Sequence, residues 1–280
     1  MSRLIVAKTL KMYAGGKFIR SESGRVTPLR DKDGTVTNVC RTSRKDLRNT
    51  LEIARAAQPP WAARTAFNRG QILYRLAEMI DSRLSSFPTP PKDATAAADR
   101  AVHHAGWSDK ISAVLSTLNP VAGTFINYSH VRPMGVILAF PDPADGLLGM
   151  IEALCAATVM GNAVIIALPT EQAHLATALA EGIATCDMPG GVVNILTGDI
   201  DEIVSYTVLF DDLDCIYRAA DALNHEQTTK LQQEGARILQ RMVHAPAAKT
   251  PADPLILQGL AEVQTVWMSA YEPQGGAAAY

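Results

Sequence analysis

A chain of 280 residues, 48% hydrophobic and 19% charged, has the composition of a soluble globular protein able to bury one large or two modest domains. Its formal net charge is −2 and neither sign forms a long run, which argues against a nucleic-acid or anionic-membrane surface as its main business. No apolar run approaches the ~18 residues of a membrane span, residues 1–7 are too short for a signal peptide, and Cys40, Cys155, Cys186 and Cys215 form no CxxC pair, so a cytoplasmic protein without membrane, metal or disulfide is expected.

In chain order, Met12-Tyr13-Ala14-Gly15-Gly16-Lys17-Phe18-Ile19 followed by Ser21-Glu22-Ser23-Gly24 reads as an opening hairpin, the paired glycines supplying its turn. Ser43-Arg44-Lys45-Asp46 resembles a capping box that starts a helix with Leu47, Leu51 and Ala54 on one face, and Pro59-Pro60 is expected to end it. A second helix carries Ile72, Leu73, Leu76, Ile80 and Leu84 at helical spacing. Three prolines within residues 85–93 break the pattern, after which residues 94–115 read as helix again. Thr124-Phe125-Ile126-Asn127-Tyr128-Ser129-His130-Val131 alternates apolar and polar residues, as a half-buried strand does.

The centre is the most legible part. Gly135-Val136-Ile137-Leu138-Ala139-Phe140, Ala163-Val164-Ile165-Ile166-Ala167-Leu168 and Val192-Val193-Asn194-Ile195-Leu196 lack polar alternation, the mark of strands covered on both faces. Between them, residues 147–160 read as a buried helix ended by Gly161-Asn162, and Thr170 is placed to cap a helix bearing Leu175, Leu179 and Ile183. Strands alternating with helices imply an α/β domain with a Rossmann-like, doubly wound parallel sheet.

These residues carry a resemblance. Gly135-Val136-Ile137, Met160-Gly161-Asn162-Ala163-Val164-Ile165 and Met188-Pro189-Gly190-Gly191-Val192-Val193-Asn194-Ile195-Leu196-Thr197-Gly198 resemble, in order and spacing, the coenzyme-domain landmarks of the aldehyde dehydrogenase superfamily. Tyr13-Ala14-Gly15-Gly16-Lys17 is similar to that family's opening hairpin, and Trp61 with Asn68-Arg69-Gly70-Gln71-Ile72-Leu73 to the helices that follow it. Residues 68–78, Trp107-Ser108-Asp109-Lys110 and residues 186–198 resemble more narrowly the degenerate second half of the two-lobed family-sixteen aldehyde dehydrogenases, a partial copy that lacks the chemistry. Leu260-Ala261-Glu262-Val263-Gln264-Thr265-Val266-Trp267-Met268 looks like the family's last strand, which in relatives reaches the neighbouring subunit; the pattern alone also fits a generic amphipathic strand.

The resemblance implies an organisation. Residues 1–259 would form a coenzyme-binding-type domain with an oligomerisation hairpin near 121–134, residues 260–269 an oligomerisation strand, and residues 270–280 a flexible tail. The catalytic domain would be absent, since only residues 218–259 separate the coenzyme-like part from the last strand.

The family's reaction needs a thiolate nucleophile, an oxyanion donor, a base for deacylation and a dinucleotide surface. No Gly-Gln-Xaa-Cys or Glu-Leu-Gly-Gly segment occurs. Cys155 falls in the buried helix, Cys186 precedes a helix-ending turn, Cys40 lies in a connector and Cys215 follows an acidic run, so no catalytic residue is assigned. Where the resemblance implies an oxyanion-binding asparagine, the chain has Pro141-Asp142-Pro143-Ala144-Asp145-Gly146; these aspartates read as turn and cap residues sooner than as a general acid/base pair. Leu168 stands where relatives place a ribose-binding lysine. Glu171 is retained and has two readings, a vestigial ribose contact or a carboxylate that favours a helix's first turn. Residues 218–224 lack the phosphate-contacting glycine turn, and Arg218 reads first as a solvated surface residue. His103 and His104 point apart on a helix with no further ligand at metal spacing.

The sequence therefore predicts a non-catalytic aldehyde dehydrogenase-like subunit, a pseudoenzyme that assembles with or regulates an active relative. Residues 260–268 and 124–131 would make the junction, with a homodimer as the second arrangement. No bound cofactor is expected, and NAD would bind weakly if at all. The alternative is an NAD-binding component whose active site a partner chain completes.

Overall fold

The computed structural model of the protein describes residues 7–30, 34–250 and 254–270, so the tail expected at 270–280 lies, but for Ala270, outside the described residues. β1 (Thr9–Leu10) and the hairpin of β2 (Met12–Ala14) and β3 (Lys17–Ile19) open the fold, with Gly15 and Gly16 at φ +62° and +78° in the turn between them. β4 (Val26–Arg30) pairs antiparallel with β5 (Val36–Cys40), and β1 lies parallel beside β5. Cys40, expected in a connector, is thus the buried end of a strand.

Ser43 starts α1 (Arg44–Ala62) with the expected capping box: its hydroxyl accepts from Asp46 N–H at 3.1 Å while the Asp46 carboxylate accepts from Ser43 N–H at 2.8 Å. Pro59 and Pro60 do not end this helix; they ride in its last turn. Trp61 supplies the reason. It is 1% exposed and donates from Nε1 to the Thr158 carbonyl at 2.9 Å, so its burial holds helical a turn that the prolines deprive of backbone bonds.

α2 (Ala66–Asp81) buries Ile72, Leu73, Leu76 and Ile80 as their spacing predicts, while Leu84 falls past its end in a single 3-10 turn. Two helices, α3 (Pro91–Trp107) and α4 (Ile111–Leu115), stand where one was expected. The break comes where the N–H groups of Ser108 and Lys110 bond three residues back, to Ala105 and Trp107, and tighten the helix out of register.

β6 (Thr117–Asn119) and β7 (Phe125–Pro133) follow, and then the alternating core: β8 (Val136–Phe140), α5 (Gly146–Val159), β9 (Ala163–Pro169), α6 (Ala173–Ile183), β10 (Val193–Gly198), α7 (Ile200–Thr207), β11 (Cys215–Ala219), α8 (His225–Arg237) and β12 (Arg241–Ala245). α9 (Pro254–Gly259) leads into β13 (Ala261–Ser269). Thr170 does not cap α6, because a 3-10 turn over Thr170–Gln172 intervenes and Gln172 takes the cap position.

The main sheet has seven strands in the order β12-β11-β8-β9-β10-β2-β3; β12 to β10 are parallel and β2 runs antiparallel to β10. α2, α3, α5, α6 and α9 bury apolar residues in the cluster on one face, and α1, α7 and α8 in that on the other. Covered on both faces, the sheet is the doubly wound one that the unbroken apolar runs predict. Among the described residues no helix is long and apolar enough to cross a membrane.

Asn162 locks the core to the last strand. Fully buried, it accepts from Gly135 N–H at 3.0 Å and donates to the Leu260 carbonyl at 2.9 Å. β13 then pairs antiparallel with β7 along nine residues, from Ala261 opposite Pro133 to Ser269 opposite Phe125, and β6 completes a separate sheet in the order β13-β7-β6. The last strand therefore finds its first neighbour within its own chain, leaving its outer edge and the sheet faces for any second subunit. β7, expected to be half-buried, hides only Asn127.

Candidate functional site

From β8 the chain builds toward β9 and β10, then returns across the sheet to β11 and β12. That reversal sets a crevice outside the carboxyl ends of β8 and β11, the place where open α/β sheets take their ligands. Four stretches surround it: residues 141–146 after β8, 170–172 after β9, 220–224 after β11 and 246–250 after β12.

The first two aspartates at the crevice are spent on the chain's own backbone. Asp142, 7% exposed, accepts from Ala144 N–H at 2.9 Å through one oxygen and from Asp221 N–H at 3.4 Å through the other. Asp145, also buried, accepts from Ala248 N–H. Both act as turn residues and cross-links, and together they bridge the loop after β8 to those after β11 and β12. Arg218 is engaged as well, donating to the Ala220 carbonyl at 2.7 Å and to His244 Nδ1 at 3.1 Å.

Leu168 is fully buried in the core, where its chain meets no polar ligand surface. Glu171 is exposed in the turn after β9 and forms no ion pair among the described residues. Its neighbour Gln172 donates to the Pro143 carbonyl at 2.9 Å and closes the β8 side of the same edge. The structure thus brings Asp142, Asp145 and Arg218 to one edge, with Glu171 left outside their contacts.

Three of the four cysteines are held as thiols. Burial pushes the Cys186 thiol up to about 11 and the Cys215 thiol up to about 12, and raises Cys155 well above its ordinary value. At neutral pH these remain thiols, and only a thiolate attacks. For Cys215 burial is the main cause; the neighbouring Asp214 adds a smaller push in the same direction.

Beneath the crevice lies a charged cluster that sequence reasoning missed. Arg100 of α3 pairs with Glu152 of α5, their side chains 14% and 8% exposed. His104 Nε2 stands 3.1 Å from the same Glu152 oxygen, an ion-pair distance without the alignment of a hydrogen bond, and its Nδ1 is buried without a partner. The spacing of Arg100 and His104, one helical turn apart, was a usable signal; the carboxylate they share comes from a distant helix. His103 turns away and accepts from Trp107 Nε1 at 3.1 Å. Among the described residues no three His, Cys, Asp or Glu gather as a metal site.

The cluster makes acid stability a test. Burial alone would raise the Glu152 carboxyl, but His104 and Arg100 outweigh it and hold the carboxyl at about 2. A depressed folded value means stabilisation that is complete above the ordinary carboxylate range and is lost as pH falls toward about 2. Urea midpoints should therefore drop between about pH 5 and pH 2, and Glu152→Gln should flatten that slope by up to about 3 kcal/mol. Glu202, held at about 2 by Arg25 and Arg41, leaves a residual slope in the variant. An unchanged slope would contradict the pairing.

The aldehyde dehydrogenase family model matches residues 19–218. The putative aldehyde dehydrogenase DhaS of Bacillus subtilis is 27% identical over 261 residues, covering 86% of this chain and 49% of its own length. Cytosolic aldehyde dehydrogenase 1 of Elephantulus edwardii is 31% identical over 212 residues, 67% of this chain and 40% of its own. The chain spans about half the length of the curated relatives it matches. Among solved structures, an NAD+ complex of an aldehyde dehydrogenase from Bacillus cereus superposes with a TM-score of 0.73 at 20% identity, covering 85% of this chain and 51% of that one. An NAD-dependent aldehyde dehydrogenase from Sinorhizobium meliloti gives 0.76 at 19% identity, covering 85% and 50%. Both are likenesses of fold.

Proposed function

As this chain belongs to the aldehyde dehydrogenase family, we propose that it is a non-catalytic subunit of that family, a pseudoenzyme that assembles with or regulates an active aldehyde dehydrogenase. The observation that carries this reading is the cross-linking of the crevice: Asp142 and Asp145 tie its loops to Asp221 and Ala248, where a functioning site would present free donors. The path of the chain supports it. Among the described residues it passes from β11 through α8, β12 and α9 to β13, with no second α/β domain between them.

The sheet β13-β7-β6 is the surface through which the assembly would form, either with an active relative or with a second copy. Adding a strand to the outer edge of β13 supplies main-chain hydrogen bonds and pockets for alternate side chains. A cytoplasmic home belongs to the same proposal, and the four free, buried cysteines suit it.

The second reading, an NAD-binding component completed by a partner, has Glu171 in its favour, since that carboxylate is exposed and forms no ion pair among the described residues. Calorimetric titration of the isolated chain with NAD separates the two. Weak or absent binding is expected, because Leu168 offers ribose no donor and Ala219-Ala220 replaces a glycine turn. Saturable micromolar binding that disappears in Glu171→Ala would establish the second reading instead.

A further inference from the structure

We propose that residues 246–250 are a strap latched over the carboxyl ends of β8 and β11, with the Arg100–Glu152 pair as the latch, so that the strap competes with any dinucleotide for the crevice. The inference rests on the reading of that crevice as the family's coenzyme-type site. Three backbone groups of the strap are held by side chains from elsewhere. Asp145 accepts from Ala248 N–H, and Arg100 Nη2 donates to the Ala248 carbonyl at 2.9 Å and to the Thr250 carbonyl at 3.2 Å. Lys249 adds a long contact to the Ala144 carbonyl at 3.5 Å.

The chemistry of the strap makes these contacts decisive. Its sequence, Pro246-Ala247-Ala248-Lys249-Thr250, contains no large apolar side chain, and Ala248 alone of the five is buried. It belongs to no strand or helix, so no ladder of its own secures it. A segment held by a few polar contacts opens at lower free energy than the strands beside it. Beside it lies a groove of about 380 Å³, lined by Asp93 of α3, Leu147 of α5, Thr89, Ala144, Asp145 and the strap's own Lys249.

Arg100 suits the task because its planar fork divides. One nitrogen pairs with Glu152, and the other reaches the strap carbonyls. A buried ion pair adds little net stability over an apolar one and is best retained where it fixes a position. Here the position fixed is that of the strap, with His104 beside Glu152 completing the cluster.

Hydrogen exchange on the full chain tests the latch. Arg100→Ala alone would strand the Glu152 charge, so the informative variant is Arg100→Met with Glu152→Leu, which removes both partners. Its strap should exchange at least about tenfold faster than wild type, while α3 and α5 keep their protection. Asp145→Ala, which cuts the other tether, should act in the same direction. Because a closed fraction scales apparent affinity directly, the double variant should bind NAD about tenfold more tightly than wild type in a fluorescence titration, though still weakly. Strap exchange at the wild-type rate in the double variant overturns the latch. Faster strap exchange with unchanged NAD affinity overturns the competition. Tight NAD binding by wild type would instead defeat the non-catalytic reading, and the exchange comparison would still decide the latch.

Discussion

In the proposed assembly, replacing Ile126 by lysine together with Met268 by glutamate is expected to release the 30.0 kDa monomer without loss of fold. The two residues are opposite one another on β7 and β13, and are 42% and 46% exposed. On the same face Tyr128 opposes both Leu118 and Val266, and Leu118 is 72% exposed, so the apolar surface is continuous across three strands. Contiguous apolar area of this kind, next to a strand edge unpaired among the described residues, is what the proposed assembly would cover. Charges of opposite sign at directly opposed positions favour the pairing of β7 with β13. They cannot be buried against a partner without desolvation. Light scattering on wild type and variant reads the outcome. If the variant keeps the wild-type mass, the interface lies elsewhere, and the exposed face of α2 around Phe67 and Tyr74 becomes the place to look.

Trp61→Ala should destabilise the fold by about 3–5 kcal/mol, the largest loss expected of any single core truncation. The indole is among the largest fully buried side chains, and it joins the end of α1 to the end of α5 through the Thr158 carbonyl, beside the bond from Gln58 to the Gly161 carbonyl. Truncation removes that packing and one of the hydrogen bonds to the Thr158 carbonyl, which keeps the N–H of Gly161 at 3.0 Å, and it leaves Pro59 and Pro60 to end the helix early, as their sequence context first predicts. Trp61→Phe keeps most of the volume and should lose only about 1 kcal/mol, the share of one hydrogen bond. Urea midpoints measure both. Equal losses in the two variants would mean that the hydrogen bond, rather than the volume, holds the helices together.

What the sequence made legible follows from how local each signal is. β8, β9 and β10 announce themselves because a strand covered on both faces has to be apolar at every position, and Val136 to Phe140 is buried throughout. The capping box at Ser43 is equally local, since it is complete from Ser43 to Asp46. Features set by distant contacts escaped. Nothing near Pro59 reveals that Trp61 has a socket beside Thr158 to hold the turn. Nothing near Asn162 shows that its amide reaches Leu260. No element was readable between Arg218 and Gly259 because the strand there is short and half-polar, yet β12 gains its place by pairing along β11 from Cys215 to Ala219.

The site shows the same division. That Asp142 and Asp145 serve turns was readable from Pro-Asp-Pro, because aspartate beside proline favours such turns whatever the fold around it. Their second partners, Asp221 and Ala248, belong to loops that only the sheet order brings near. Glu152 was invisible as a charged partner because it sits on a helix otherwise apolar, and the residues that neutralise it, Arg100 and His104, come from α3. Strand β7 misled for a different reason. Alternation normally signals one covered face, whereas here both faces of the sheet are largely open in the single chain, which is itself the argument for a partner.

The most direct test of the central claim is an assay of the purified full chain for aldehyde oxidation with NAD and with NADP. Four thiols that include Cys155, Cys186 and Cys215 held protonated by burial, and a crevice bridged by Asp142 and Asp145, predict no coenzyme reduction above the protein-free control. Turnover that is abolished by replacing a single cysteine with serine would contradict the account and identify that residue as the nucleophile.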